Sequence, residues 1–238
     1  MQIMNDFLFF ASDSCRSRAY IDLMLSSGLR PSMVFLINIA SVAEKSDQTY
    51  EHTELFCNTI PLSEQLDQYR IPYKTFNIDK LNNENLLLSL KDAPQNHVIF
   101  SIAGRILRKE FFNFNKKYIH VHPGRLPYFR GSTPMYYTML KEESLVASAI
   151  FLEKEIDTGP LIAECAYPIP HDVSIIDTVY DPWMRADLLV KILLEYNING
   201  KFSTLPQSND QGETYYVIHP VLKCLAIKKA QKTINPLI

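Results

Sequence analysis

The chain has 238 residues, a formal net charge of −2, and 47% hydrophobic against 21% charged residues. That length suits one domain of ordinary size, or one domain with an appendage, and the composition is that of a packed globular protein. The charge argues against wholesale nucleic-acid binding, which asks for a strong basic excess, and no stretch reaches the ~18 uninterrupted apolar residues of a membrane span.

The N-terminal MQIMNDFLFFASDS has no basic start, and its apolar run is too short for a secretory signal. Cys15, Cys57, Cys165 and Cys224 show no metal-ligand spacing. They are expected as buried or half-buried thiols in a reducing cytoplasm.

In chain order, Phe7–Ala11 reads as a buried strand bounded by Ser12, Asp13 and Ser14. Arg16–Ser26 has apolar residues at helical spacing, with Gly28 as its stop. Met33–Ile37 is a second buried strand, and Ala40–Ile60 is polar with no clean period. A helix over Pro61–Tyr69, a strand over Tyr73–Phe76 and a helix over Glu84–Leu90 follow. Val98–Ser101 is a strand, Arg105–Phe112 a helix, and Tyr118–Val121 a strand. Thr133–Leu140 is helical with Ser132 as its cap.

Val146–Leu152 and Leu161–Tyr167 form a strand pair around a turn at Asp157. Ser174–Tyr196 is the longest helical pattern, and Pro182 starts a new segment of it at Asp181. Alternating strands and helices predict an α/β fold, a doubly wound and mostly parallel sheet of Rossmann-like type. Residues 1–200 are expected to form one domain, and 201–238 an appendage packed on it.

The informative stretch is Tyr118–Pro134, YIHVHPGRLPYFRGSTP, with Asp157-Thr158-Gly159 downstream. His120 and His122 sit at a strand's carboxyl end, where doubly wound sheets bind ligands. Two residues apart on a strand, they face the same way. Pro123, Gly124 and Pro127 stiffen the exit, and Arg130-Gly131-Ser132 lead to a helix N-terminus with free N–H groups. Formyl transfer to an amine needs donors or positive charge at the developing oxyanion and a sink for the amine proton. A histidine held protonated by a carboxylate, His122 with Asp157, makes a minimal site.

These residues resemble the formyltransferases that use 10-formyltetrahydrofolate. The resemblance is carried by His122-Pro123-Gly124-x-Leu126-Pro127-x-x-Arg130-Gly131 and Asp157-Thr158-Gly159, and it runs from about His97 to Cys165. It implies that His122 and Asp157 are catalytic, and that Ser101, Ile102, Ala103, Gly104, Arg105, Ile106 and Leu107 line the folate pocket. Pro123, Gly124, Arg130, Gly131 and Ser132 then face the amine substrate. One position departs: the family's Asn falls on His120, which donates with another reach and a titratable charge.

Residues 201–238 are too few for the extra domain of the methionyl-tRNA branch. The loop from Ser12 to Arg18 has no glycine for the phosphate loop of the glycinamide ribonucleotide branch. By elimination the resemblance is to the sugar N-formyltransferases. It implies a cytoplasmic enzyme acting on the amine of a nucleotide-linked amino deoxysugar, with no nucleic acid and no membrane span, and with a homodimer as an ordinary expectation. Ser12, Ser14, Arg16 and Arg18 are candidates for a pyrophosphate, and Tyr215, Tyr216 or Trp183 for stacking on a base or sugar. His52, His97 and His171 read as surface or locally bonded residues, and His219 belongs to the site or anchors the tail.

Four other readings stand beside this one. The acceptor is another small amine. The chain is a non-catalytic relative that binds folate or a sugar nucleotide. His-x-His with a distant Asp binds zinc in a metal hydrolase, although a third ligand at regular spacing is missing. Arg130 braces its own loop against a backbone carbonyl instead of meeting substrate.

Overall fold

The computed structural model describes residues 1–39, 53–142, 144–208 and 211–234. Residues 40–52, part of the stretch read as polar and without a period, lie outside the described residues, and His52 with them. The chain divides into two compact units, Met1–His120 and Val121–Ile238.

The first unit is a parallel α/β array. Its strands are β1 (Gln2–Ala11), β2 (Leu29–Ile39), β3 (Tyr73–Ile78), β4 (His97–Phe100) and the start of β5 (Lys117–His122), in the order β3-β2-β1-β4-β5. All neighbouring pairs run parallel. Phe7 to Ala11 are at most 1% exposed, as expected of a strand covered on both faces. Ring contacts tie the strands together, Phe10 to Phe35 at 5.6 Å and Phe35 to Phe76 at 5.0 Å between centroids. Each such phenyl, fully buried, contributes about 1.5–3 kcal/mol.

Between the strands lie α1 (Cys15–Ser26), α2 (Leu62–Gln68) and α3 (Glu84–Asp92). Ser14 caps α1 by accepting from the Ser17 amide, and Asn83 caps α3 by accepting from Asn85 and Leu86. Gly28 follows α1 in the left-handed conformation, as a helix stop should. The strand order reverses at β1 and β4, so a switch point opens at their carboxyl ends, Ser12–Ser14 and Ser101.

The helix expected over Arg105–Phe112 does not form. Lys109–Asn113 is a single 3-10 turn. Phe111 is buried, its carbonyl accepts from the Tyr118 hydroxyl at 2.7 Å, and its ring meets Tyr118 edge-on. Tertiary anchoring of one residue replaces a helix too short to sustain itself.

The second unit holds the end of β5, then β6 (Phe129–Gly131), α4 (Pro134–Lys141), β7 (Leu145–Phe151), β8 (Leu161–Tyr167), α5 (Asp181–Asn199), β9 (Glu213–Tyr215) and α6 (Pro220–Ile234). β7 and β8 are antiparallel, and β6 pairs with β9 in parallel. β7 is buried throughout, whereas β8 is half covered.

The long helical pattern from Ser174 opens with irregular turns at Val173–Ile175 and Ile176–Tyr180, and the regular helix starts at Asp181 with Pro182 in its first turn. Gly200 ends it in the left-handed conformation. Ser132 is not the cap of α4. Thr133 holds that place at φ +49°, with its hydroxyl accepting from the Ile218 amide instead. Cys224 is exposed, against the expectation of covered thiols. Among the described residues, no helix is long and apolar enough to cross a membrane.

Candidate active site

β5 ends in His120-Val121-His122, and its last residues are held from behind. Arg185 on α5 donates from Nη1 to the Val121 carbonyl at 2.9 Å, and from Nε to Asp181 at 2.8 Å. His122 is 2% exposed. Its Nε2 lies 2.7 Å from the Phe129 carbonyl, and its Nδ1 lies 3.4 Å from Asp157 Oδ2. The distant imidazole and carboxylate of the sequence therefore meet within the second unit.

Both sides of this pair are built by close backbone packing. Gly124 sits where a Cβ would come 3.2 Å from His122 Nε2, 3.0 Å from the Phe129 carbonyl and 2.9 Å from Pro134 Cβ. Ser148 on β7 donates to the Gly124 carbonyl at 2.8 Å and accepts from the Leu126 amide at 3.2 Å. The Gly131 amide donates to Asp157 Oδ2 at 2.8 Å. Asp157 itself adopts φ +55°, a conformation uncommon outside glycine. Gln207 holds the turn by donating to the carbonyls of Asp157 at 3.0 Å and Gly159 at 2.6 Å.

A carbonyl only accepts, so Nε2 of His122 carries a proton. Burial, the largest influence, pushes His122 below its ordinary value of 6.5. Asp157 and the Phe129 carbonyl pull it up, Arg185 pulls it down and Asp181 pulls it up. The net direction is down, so the ring is neutral at pH 7. This corrects the expectation of a protonated His122 at the oxyanion: desolvation of the charged ring outweighs its carboxylate. A neutral ring with its proton on Nε2 turns the Nδ1 lone pair toward Asp157. That arrangement takes up a proton, and the carboxylate then stabilises it.

His120 lies two residues earlier on the same strand, half-buried, with its ring 6.4 Å from Phe100. In the zinc reading His122 would have to give up the Phe129 carbonyl or face the metal from Nδ1 beside Asp157. One ligand atom from each of His120, His122 and Asp157 lies within 4.8 Å of the others, the three-residue grouping that reading calls for.

The residues expected to line a folate pocket fall on the turn after β4. Ser101 is fully buried and donates to the Phe10 carbonyl at 3.0 Å. It ends a hydroxyl chain in which Ser14 donates to Ser17 and Ser17 to Ser101. Its hydroxyl is thus engaged inside the fold, which corrects its placement on the pocket surface. Ile102 and Leu107 are buried, whereas Ile106 is 68% exposed. Gly104 turns at φ +63° with open space where a Cβ would lie. Ala103, Gly104, Arg105 and Ile106 are the part of this segment that solvent reaches.

Pro123 and Gly124 are buried beside His122. Arg130 is 7% exposed and donates to the Ser208 carbonyl at 3.0 Å, so it braces its loop. This favours the reading in which Arg130 braces its own loop over the one in which it meets substrate. Ser132 is exposed, and its amide donates to the Tyr215 carbonyl at 2.8 Å.

Two of the four pyrophosphate candidates take structural roles. Arg18 is fully buried against Asp13 and Asn58, and Ser14 caps α1. Trp183 packs between Tyr167 and Tyr180. His97 bonds locally, as expected, with Nδ1 2.6 Å from Asp6. His219 accepts from the Val221 amide at the start of α6.

The sequence reading missed Arg185, Asp181, Ser148 and Gln207. Only the first two had a signal, an i,i+4 ion-pair spacing on one helix. Beside the pair a cleft of about 570 Å³ opens, lined in part by Arg125, Tyr128, Phe129, Lys141, Glu213 and Tyr215. Phe129 links the two: its carbonyl faces His122 and its ring lines the cleft.

A family model described as formyl transferase matches residues 9–184. A methionyl-tRNA formyltransferase of Streptococcus uberis is 26% identical over 155 residues, covering 64% of this chain and 49% of that protein. One from Chloroflexus aurantiacus is 29% identical over 119 residues, covering 48% and 37%. The chain spans about half the length, or less, of these curated relatives. Among solved structures, a sugar N-formyltransferase from a Shewanella species superposes with a TM-score of 0.60 at 16% identity, covering 94% of this chain and 87% of that one. An N-formyltransferase from Helicobacter canadensis, in complex with folinic acid and dTDP-3-aminofucose, gives 0.57 at 14% identity, covering 89% and 70%. These two share the fold.

Proposed function

The chain belongs to the formyl transferase family, and from that premise we propose that it transfers a formyl group from 10-formyltetrahydrofolate to the amine of a nucleotide-linked amino deoxysugar. The observation that carries the reading is the buried His122–Asp157 pair, fixed by the Phe129 carbonyl on one side and the Gly131 amide on the other.

The donor supplies the formyl group. The open turn at Ala103–Ile106 suits a flat ring system, with exposed Ile106 offering apolar contact. As the amine adds to the formyl carbon it becomes acidic. His122 takes the amine proton at Nδ1 through a water, and Asp157 stabilises the imidazolium that forms; as the bond from the formyl carbon to N10 of the donor breaks, that proton passes to N10 and tetrahydrofolate leaves. His120 donates toward the formyl oxygen in place of the family's Asn.

Support for a nucleotide-linked sugar comes from the cleft. α4 spans eight residues, about 12 Å. Its first turn adjoins Gly124 beside His122, and its last residue Lys141 lines the cleft. That separation fits an acceptor whose amine reacts at the pair while its nucleotide end rests among Tyr128, Arg125 and Lys141. Solved structures of sugar N-formyltransferases are similar to this chain in fold. A cytoplasmic setting suits four free cysteines.

The curated relatives favour a second acceptor, the amine of methionyl-tRNA. Purified protein with 10-formyltetrahydrofolate, offered a panel of nucleotide-linked amino sugars and, in parallel, methionyl-tRNA, separates the two by product mass. A formylated sugar is expected. Turnover on methionyl-tRNA alone replaces the acceptor, and no turnover on any amine overturns the enzyme reading.

A further inference from the structure

We propose that Gln207 is a positioning residue that holds Asp157 at its working angle to His122. The inference rests on the reading of those two residues as the reacting pair.

The short segment Leu205–Ser208 grips both walls of the pair at once. Leu205 exchanges two backbone hydrogen bonds with Leu161, each 2.8 Å, and this seats the segment beside the start of β8. Gln207 then reaches the preceding turn and donates from Nε2 to the carbonyls of Asp157 and Gly159. Both partners are carbonyls, so only the amide nitrogen can face them. Ser208 offers its carbonyl to Arg130, and the residue after Arg130 is Gly131, whose amide holds the Asp157 carboxylate.

The turn needs this grip. Asp157 is a non-glycine residue at φ +55°, a conformation that persists only where its surroundings impose it. Gly159 is packed so tightly on the Phe151 carbonyl that the turn cannot shift toward β7. Two hydrogen bonds from one amide fix the remaining freedom. Without them the Asp157 backbone relaxes, and its carboxylate swings away from Nδ1 of His122.

The groups facing His122 are the Asp157 carboxylate, the Phe129 carbonyl, Arg185, Asp181 and the His120 ring, which has a nitrogen within 4.8 Å of it. Of these, only Asp157 depends on Gln207. Losing the carboxylate removes a charge that favours the imidazolium, so the titration midpoint of His122 falls.

The test uses the full chain with 15N-labelled histidine and follows each ring by NMR across pH. In Gln207→Glu, a carboxylate replaces the two donors and repels both carbonyls, whereas Gln207→Ala only deletes them. In both, the His122 midpoint is expected to drop by about one pH unit. His97, bonded to Asp6 in the other unit, keeps its midpoint and reports an intact fold. In an Asp157→Asn background the Gln207 changes add nothing further.

With an active acceptor, kcat falls about tenfold while KM stays within about twofold. An unchanged His122 midpoint, a shift of His97 along with it, or an undiminished shift in the Asp157→Asn background overturns the proposal. The ring titration needs no acceptor, so a wrong acceptor leaves it standing.

Discussion

Gly124→Ala probes the packing that makes the pair. The new methyl would lie 2.9 Å from Pro134 Cβ, 3.0 Å from the Phe129 carbonyl and 3.2 Å from His122 Nε2. Pro134 is ring-locked at the start of α4, and Phe129 is held in the ladder with β9. The imidazole is the neighbour that can turn, and turning breaks its 2.7 Å bond to the Phe129 carbonyl. A buried hydrogen bond lost with its acceptor left unsatisfied costs about 1–3 kcal/mol, and residual crowding brings the sum to about 2–4 kcal/mol. For a chain of this size each kcal/mol lowers Tm by about 2–4 °C, so a drop of about 4–16 °C is expected. Thermal unfolding followed by circular dichroism reads the shift, and the His122 ring signals in NMR report the lost bond. A Tm within about 2 °C of the parent, with unchanged ring signals, would refute the reasoning.

Replacing His122 by Asn should lower the turnover rate ~10²-fold or more with the fold intact, because the proton acceptor is gone; His120→Asn, which restores the family's residue, should keep or raise activity, and steady-state kinetics on the purified variants settles both. Arg185→Met leaves Asp181, 7% exposed, as a buried carboxylate without its partner. A loss of about 3–5 kcal/mol in urea unfolding is expected, with much of it recovered in the Asp181→Asn/Arg185→Met double variant. Burial lowers both His122 and His97 relative to the unfolded chain. Below the ordinary 6.5 the unfolded state therefore takes up protons that the native state resists. Their contribution to stability is complete above that value and is lost as pH falls toward the native midpoints. Urea midpoints from pH 7.5 down to 6 should fall, and less steeply in His122→Asn; equal slopes in the two proteins count against a buried neutral His122.

The parallel strands were legible because a strand covered on both faces needs an unbroken apolar run, and Phe7–Ala11 and Val98–Phe100 supply one. Local rules also located the helix start at Asp181, where Pro182 suits a first turn, and the stop at Gly28. They failed where a distant partner decided the conformation. The Arg105–Phe112 pattern is helical by period, yet Tyr118 holds Phe111 in a single turn. Thr133 displaces Ser132 as the cap of α4 because Ile218, far along the chain, takes its hydroxyl. Arg130 and Arg18 look like anion ligands as residue types, but Arg130 donates to the distant Ser208 carbonyl, and Arg18 is buried against the neighbouring Asp13 carboxylate and the distant Asn58.

The alternation of strands and helices, the chemistry at hand in His122 and Asp157, and the family resemblance could all be read along the chain. Residue type, local period and backbone stiffness act between neighbours along the chain, so one dimension is enough to read them. Only the tertiary structure decided that His122 is neutral, since that depends on how much solvent the surrounding groups remove. It also decided that the segment 205–208 belongs to the site, since Gln207 meets the Asp157 turn only through folding. A hydrogen bond formed across fifty residues leaves no mark on the local pattern of either end.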